Sequence, residues 1–449
     1  MAKHILSKST FMYGCQCPLR LYMHKFKSEL RNPIDEEQTA VFTMGTNIGL
    51  LAQGYFPGGI DVSPPDPYSY HISVAKTQEL IKAGQKIIYE AAFNFDGILC
   101  AVDILVNEKG NWHVYEVKNV TKVKPAHIKD ASLQYYVITK SGLPLKDFSI
   151  MYLDTSYVKR GNIEIKKLFT YSSVLDQVLD NQKFIEEKAD ALKEMLRTKK
   201  EPLVEPGDHC FDPYDCDFTE HCWENVVEEK EDYGKLAIDK KAIKEFLAEL
   251  EYPLYFFDFE TVGYPVPVYD ESRPYQAVPF QYSLHFQQKK DAELEHVYYL
   301  GDGINDPREA LINQMLEHVK DKGSILVWYK PFESGKLKNL ARDFPKYEKQ
   351  IIKIIDRLVD LRDPFNFGHY YHPGFEGSTS IKSVLPVLIP DLSYGDLEVQ
   401  DGMAASTTYA TLKEQSKKEQ AKLRLALLDY CHLDTLAMVK ILEKLVNTK

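Results

Sequence analysis

The stretch Leu254-Tyr-Phe-Phe-Asp-Phe-Glu260 places two acids inside the most apolar strand-like run of the chain. In a strand, residues two apart share one face, so Asp258 and Glu260 stand side by side. Burying two carboxylates on one face of a core strand costs several kcal/mol unless a cation offsets it. The run is therefore read as one wall of a metal site. The expected elements around it follow a definite order. A short helix over Lys241 to Leu250 precedes it, and strands over Phe280 to Phe286 and His296 to Leu300 follow. A helix from Pro307 to Val319 comes next, with Ala310, Leu311, Met315 and Val319 at helical spacing, and then a strand over Ser324 to Tyr329. The last helix, expected over Ala421 to Val446, carries Tyr430-Cys-His-Leu-Asp434, and residues four apart share a helix face.

The chain has 449 residues, enough for two or three domains, with 44% hydrophobic and 27% charged residues, an ordinary globular mixture able to bury cores. No apolar run approaches the roughly 20 residues of a membrane helix, which excludes an integral helical membrane protein. The opening Met-Ala-Lys-His-Ile-Leu-Ser-Lys lacks the apolar core of a signal peptide, so the expected compartment is the cytoplasm. There, the seven cysteines are expected as metal ligands or core and not as disulfides. A net charge of -11 is the wrong sign for binding nucleic acid by bulk electrostatics, but it leaves room for an enzyme that gathers carboxylates around metal ions. No internal repeat is present. A charged stretch poor in core residues, Glu224-Asn-Val-Val-Glu-Glu-Lys-Glu-Asp-Tyr-Gly-Lys235, marks a seam, giving expected domains over 1–228 and 243–449 with a linker over 229–242.

The first half opens with helical segments, including Gly45 to Gln53. Strand-like runs follow over Lys86 to Phe95, Ile98 to Val106 and Asn111 to Val120, parted by turn signals at Asp96-Gly97 and Asn107 to Gly110. A helix is expected over Lys129 to Lys140 and a strand over Phe148 to Asp154. Within Ala101-Val-Asp-Ile-Leu105 and Val114-Tyr-Glu-Val-Lys118, charged residues stand where apolar ones are expected. Glu116 and Lys118 share a face, and a hairpin brings Asp103 beside them. Two carboxylates can hold a divalent cation such as Mg²⁺, and a lysine can orient the attacking water. Glu90 on the preceding strand is a further candidate ligand, and Gln134, four residues after Asp130, is expected to face the same pocket. The segment resembles the PD-(D/E)XK nucleases of the RecB-type branch, which includes CRISPR-associated exonucleases. Asp103, Glu116 and Lys118 match its motif. The branch's Gln-x-x-x-Tyr is altered here to Gln134-Tyr-Tyr-Val-Ile138.

Three cysteines lie in His209-Cys-Phe-Asp-Pro-Tyr-Asp-Cys-Asp-Phe-Thr-Glu-His-Cys222, and two in Gly14-Cys-Gln-Cys-Pro-Leu-Arg-Leu-Tyr22. Four thiolates suit zinc or an iron–sulfur cluster. One distant cysteine plus a downstream triplet resembles the iron–sulfur staple of RecB-type nucleases. That resemblance implies a [4Fe-4S] cluster on Cys17, Cys210, Cys216 and Cys222, with Cys15 spare. The five-residue first gap departs from the family and keeps zinc open. Cys100 and Cys431 are expected in the core.

In the second half, Asp258, Glu260, Tyr430 and Asp434 resemble the tyrosine subclass of DnaQ-like 3′–5′ exonucleases, and the element order resembles an RNase H-like fold. The resemblance implies two Mg²⁺ or Mn²⁺ ions, with Tyr430 orienting the nucleophilic water. Glu333, in Lys330-Pro-Phe-Glu333, takes the place of the family's middle aspartate. Lys382, with Ser378 and Ser380, is a candidate phosphate contact, weighed equally against a helix cap followed by a core turn. The whole chain resembles an uncharacterised bacterial family joining the two domain types. The expectation is a two-domain α/β nuclease with two active sites, acting on nucleic acid, with DNA ahead of RNA, and with no membrane partner. A non-cleaving nucleic-acid scaffold and an iron–sulfur redox sensor are the rival expectations.

Overall fold

The structure is a computed structural model and describes residues 5–33, 47–224, 226 and 233–448. The chain divides into two compact α/β units, Met1–Glu228 and Glu229–Lys449, each with its own mixed sheet. The start of the helix expected over Gly45 to Gln53 lies outside the described residues, and 47–53 are helical.

The first unit contains β1 (Leu6–Ser7), β2 (Ile60–Asp61), β3 (Ile87–Phe95), β4 (Ile98–Glu108), β5 (Asn111–Val117), β6 (Leu145–Leu153) and β7 (Phe169–Ser173). The sheet order is β2-β3-β4-β5-β6-β7, with β1 paired parallel to β4. β3, β4 and β5 form an antiparallel meander, whereas β5 and β6 run parallel. The two hairpin turns hold Asp96-Gly97 and Lys109-Gly110 at positive φ, the backbone that short hairpins favour and glycine adopts without strain. The crossover from β5 to β6 passes through the helix Pro125–Lys140, which starts a turn earlier than expected. Pro125 sits at its first turn, where a missing N–H costs nothing. β5 stops at Val117, short of Val120, although Lys118 still donates its backbone N–H to Met151.

The second unit contains β8 (Ala237–Ile238), β9 (Leu254–Gly263), β10 (Ala277–Gln287), β11 (Glu295–Leu300), β12 (Ile325–Val327), β13 (Leu358–Asp360) and β14 (Tyr370–Tyr371). Its main sheet has the order β11-β10-β9-β12-β13, antiparallel from β11 to β9 and parallel from β9 to β13. Two core clusters divide β9 by alternate residues. Leu254, Phe256 and Val262 pack with Leu427, Met438 and Ile441 of the last helix, Lys417–Thr448. Tyr255, Phe257 and Phe259 pack with Leu311, Met315 and Leu337 of the helices Arg308–His318 and Lys330–Asp343. Cover on both faces explains why the run is continuously apolar. Asp258 and Glu260 share the parity of Phe256, so they lie on the last helix's face.

The stretch 229–242, expected as linker, already contains β8, paired with β14, and the start of the helix Lys240–Ala248. Asp239 caps that helix by accepting from the Ala242 N–H. The strand expected over Ser324 to Tyr329 is cut to Ile325–Val327, because Tyr329 turns to positive φ to begin the helix Lys330–Asp343.

Candidate metal centres

In the second unit, Asp258, Glu260 and Cys431 each offer a ligand atom within 4.8 Å of the others. Glu333 comes from the first turn of the helix Lys330–Asp343, and Tyr430 and Asp434 come from one face of the last helix. Glu260, Glu333, Tyr430 and Asp434 are all buried. Burial, with Asp434, Glu260 and Glu333 nearby, pushes the Asp258 carboxyl well above the usual carboxylate range. Burial and Asp434 do the same to Glu260, against the pull of Lys382. Burial brings Glu333 up to about 8, with Asp360 and Asp434 adding to it, and Asp434 up to about 7. Burial also raises the Tyr430 hydroxyl, with Asp434, Glu260 and Asp258 adding to the effect, so the phenol faces three of the four acids. Glu333 Oε2 is buried without a hydrogen-bond partner among the described residues. Asp258 and Glu260 lie close enough to share a hard divalent cation, while Glu333, with its orphaned oxygen, and Asp434 are not among the ligand atoms gathered within 4.8 Å.

Lys382 donates to the Gln400 carbonyl at 2.7 Å and lies over the rings of Tyr394 and Tyr430 at 5.8 and 5.9 Å. Ser380, considered with it as a phosphate contact, is the N-cap of the helix Ile381–Leu388 and accepts from the Ser383 N–H. Ser378 accepts from the Ser380 N–H. Sequence reasoning missed Tyr394, which donates to Asp434 Oδ1 at 2.7 Å. It also missed Asp360, whose carboxylate accepts the backbone N–H groups of Tyr329, Lys330 and Arg362 and so shapes the turn that presents Glu333. Cys431 is buried as expected of core, and its thiol lies 3.8 Å from Asp258 Oδ2.

In the first unit, Asp103, Glu116 and Lys118 come together with two groups that sequence reasoning did not place. Lys8, at the start of the helix Lys8–Gln16, donates to Glu116 Oε1 at 2.7 Å, and Lys118 reaches the same oxygen at 2.9 Å. Lys118 also pairs with Asp130, and Asp130 accepts from Gln134 at 3.3 Å. Asp103 accepts the Val117 N–H at 2.6 Å. Glu90 has positive φ and stands opposite Asp103, between the Tyr89–Ile104 and Ala91–Val102 pairs. Burial pushes Glu116 upward, but Lys118 and Lys8 outweigh it and hold the carboxyl below its ordinary value. The same competition brings Asp130 down to about 2. Asp103 and Glu90 move the other way, Glu90 to about 7, through burial and then Glu116. Glu116 Oε2 and Gln134 Oε1 are buried without partners among the described residues.

Cys17, Cys210, Cys216 and Cys222 line one pocket with Arg20, Met23 and Phe218. Burial raises the thiols of Cys216 and Cys222, Cys216 to about 11, and Cys17 adds to both. Among the described residues no three of these cysteines bring their sulfurs within 4.8 Å of one another. Cys15 packs instead against the main core of the unit. The loop that carries Cys216 is tied to the N-terminal helices: Gln16 Nε2 donates to the His209 and Tyr214 carbonyls, and Arg20 pairs with Asp217 at 2.7 Å.

Comparison with known proteins adds a partial family match. Residues 255–380 match the model of a domain of unknown function, DUF2779, a span that holds Asp258, Glu260 and Glu333 and stops before Tyr430. The chain is similar to an uncharacterized protein of Mycoplasma pneumoniae, the MG366 homolog, at 28% identity over 229 residues, covering 45% of this chain and 34% of that protein. It is similar to protein MG366 of Mycoplasma genitalium at 25% identity, covering 41% and 31%, and to protein UU173 of Ureaplasma parvum at 25%, covering 46% and 34%. The chain thus spans about a third of the length of the curated relatives it matches. Among the described residues no helix is long and apolar enough to cross a membrane.

Proposed function

We propose that the chain is a metal-dependent nuclease that hydrolyses phosphodiester bonds of nucleic acid, DNA ahead of RNA, in the cytoplasm. The observation that carries this is the pair Asp258 and Glu260, with ligand atoms within 4.8 Å, joined by the buried Asp434 and Glu333, all four with raised carboxyl pKa values and three of them acting on the Tyr430 hydroxyl. The strand order of the second unit, with Asp-x-Glu on its central strand, supports a DnaQ-like 3′–5′ exonuclease of the tyrosine subclass. The helix and meander order of the first unit, with Asp103, Glu116 and Lys118 gathered, supports a RecB-type PD-(D/E)XK domain.

In the second unit, Asp258, Glu260, Glu333 and Asp434 would hold Mg²⁺ or Mn²⁺, which when bound stabilises charge on the attacking and leaving oxygens. Tyr430 would position the attacking water through its hydroxyl. Its raised pKa keeps that hydroxyl protonated at neutral pH. Tyr394 fixes the orientation of Asp434. Lys382, now donating to the Gln400 carbonyl, would meet a phosphate oxygen. In the first unit, Lys118 would orient water, while Lys8 and Lys118 hold Glu116 ionised.

Cys17, Cys210, Cys216 and Cys222, which line one pocket, would hold an iron–sulfur cluster, with zinc the alternative that four thiolates also suit. Anaerobically purified protein should contain iron and sulfide and absorb broadly in the visible; zinc alone would refute the cluster. A second reading, that the first site binds nucleic acid without cutting, is favoured by Lys118 being engaged by both Glu116 and Asp130. End-labelled single- and double-stranded DNA and RNA, assayed with Mg²⁺ and Mn²⁺ on wild type, Asp258→Ala and Lys118→Ala, tests the proposal. Absence of cleavage in wild type across all substrates would overturn it.

A further inference from the structure

His285 on β10 and His296 on β11 are opposite partners in the antiparallel register, with ring centroids 4.3 Å apart. His432 of the last helix completes a triangle, 4.7 Å from His285 and 4.5 Å from His296. One ligating atom of each lies within 4.8 Å of the other two. We propose that His285, His296 and His432 form a transition-metal site of the Zn²⁺ type, which fastens the last helix to the edge of the second sheet.

Two further observations support a ligand set over a chance meeting of rings. First, two of the three rings are held by hydroxyl partners. Thr435 Oγ1 is 2.8 Å from His285 Nδ1, Ser283 Oγ is 2.9 Å from His296 Nε2, and the two hydroxyls lie 2.7 Å apart. Such hydroxyl partners fix one nitrogen of a ring and leave the other for a metal, as the outer groups of histidine metal sites do. Second, β11 is an edge strand and His296 and His432 are only half-buried, so a fourth position is open to water.

The donor chemistry separates this site from the carboxylate centre on the same helix. Imidazole nitrogens select Zn²⁺, Co²⁺, Ni²⁺ or Cu²⁺, whereas the oxygens of Asp258, Glu260, Glu333 and Asp434 suit Mg²⁺ or Mn²⁺. The proposal does not depend on nuclease activity.

The test is Co²⁺ equilibrium dialysis and visible spectroscopy of the full chain, with Mg²⁺ in large excess to fill oxygen sites. Wild type should bind one more equivalent of Co²⁺ than His296→Gln or His432→Gln, with the visible d–d band of that equivalent lost in both variants. Asp258→Asn should retain it. Ser283→Ala should bind it roughly 10–100-fold more weakly, as loss of an orienting partner does. His296→Gln sits at the sheet edge and should keep wild-type circular dichroism. Equal Co²⁺ stoichiometry and spectrum in wild type and both glutamine variants would overturn the site, as would displacement of that equivalent by Mg²⁺.

Discussion

In the first unit the buried Glu116 carboxylate meets two ammonium groups, Lys8 at 2.7 Å and Lys118 at 2.9 Å, and Asp130 shares the second of them. In the second unit four acids meet only two more distant lysines: Lys382, whose hydrogen bond goes to a backbone carbonyl, acts on Glu260 and Asp434, and Lys336 acts on Glu333. The consequence is visible in the carboxyl groups. Glu116 and Asp130, which meet the lysines directly, are held below their ordinary values while Asp103 and Glu90 beside them rise, whereas Asp258, Glu260, Glu333 and Asp434 are all pushed up. Two carboxylates about 4 Å apart repel by about 4 kcal/mol at an effective dielectric of about 20. A cluster that supplies its own cations can fold and stay ionised without metal. One that lacks them must take up protons or a cation, and that need is its metal affinity.

The largest effect should follow from removing a ligand of the unbalanced cluster. Asp258→Ala should lower 3′–5′ exonuclease activity on the order of 10³-fold or more, since metal stabilisation of the transition state is worth several kcal/mol. Mn²⁺ binding by calorimetry should weaken with it. Activity within threefold of wild type would remove Asp258 from the site. Next in size, Lys118→Ala should cut first-site cleavage by about 10²–10⁴-fold, the range of a positioned proton-handling group, when measured in an Asp258→Ala background. The same change leaves Glu116 with Lys8 alone. Lys8→Met should therefore raise the Glu116 pKa, followed by carboxyl infrared bands, without a comparable loss of cleavage. Equal losses from Lys8→Met and Lys118→Ala would mean that charge balance, and not water orientation, is what Lys118 supplies. Smaller again, Tyr430→Phe should slow turnover about tenfold with unchanged Mn²⁺ affinity, a loss the size of one hydrogen bond. Tyr394→Phe should instead weaken Mn²⁺ binding, because its hydroxyl holds Asp434.

How far the sequence discloses these sites follows from the range of the interactions. β9 was legible because two charges break a continuous apolar run, and that pattern is local. Asp103, Glu116 and Lys118 were legible because a hairpin with Gly97 and Gly110 at its turns fixes which residues face one another. Lys8 was not, since its partner is 108 positions away and the lysine sits in an ordinary capped helix start. Asp360 and Tyr394 were hidden for the same reason: each acts through a contact between elements whose packing no short pattern encodes. The histidine triangle is intermediate. The pairing of His285 with His296 could be drawn from a hairpin register, but His432 joins them only when the last helix docks. β8, inside the stretch expected as linker, was not read because two-residue strands carry too little pattern to be seen.

The two clusters should also answer pH in different ways, and this is the smallest and most discriminating effect. An acid whose folded pKa is raised keeps its proton in the folded state while the unfolded chain releases it at about pH 4. Folding then loses stability as pH rises from about 4 through the folded value. For the second unit, Asp434 at about 7 and Glu333 at about 8 place that loss across neutral pH. In the first unit Asp130 runs the other way: its contribution is present above about pH 4 and lost as pH falls through about 2. Lys8 and Lys118, whose pKa values are raised, keep their contribution until strongly alkaline pH. In that cluster only Asp103 and Glu90, the latter at about 7, are pushed up, against four such acids in the second unit, so the first unit should respond more weakly. Hydrogen exchange resolved by peptide, on metal-free protein at about pH 5.5 and pH 8.5 and corrected for the intrinsic rate, should show β9 and the last helix losing more protection than β4 and β5. Saturating Mg²⁺ should restore most of the loss, because the cation takes over the neutralisation that protons supply at low pH. If both units lost protection equally, or if Mg²⁺ restored nothing, the acids of the second unit would be sharing protons among themselves and the distinction between the two clusters would collapse.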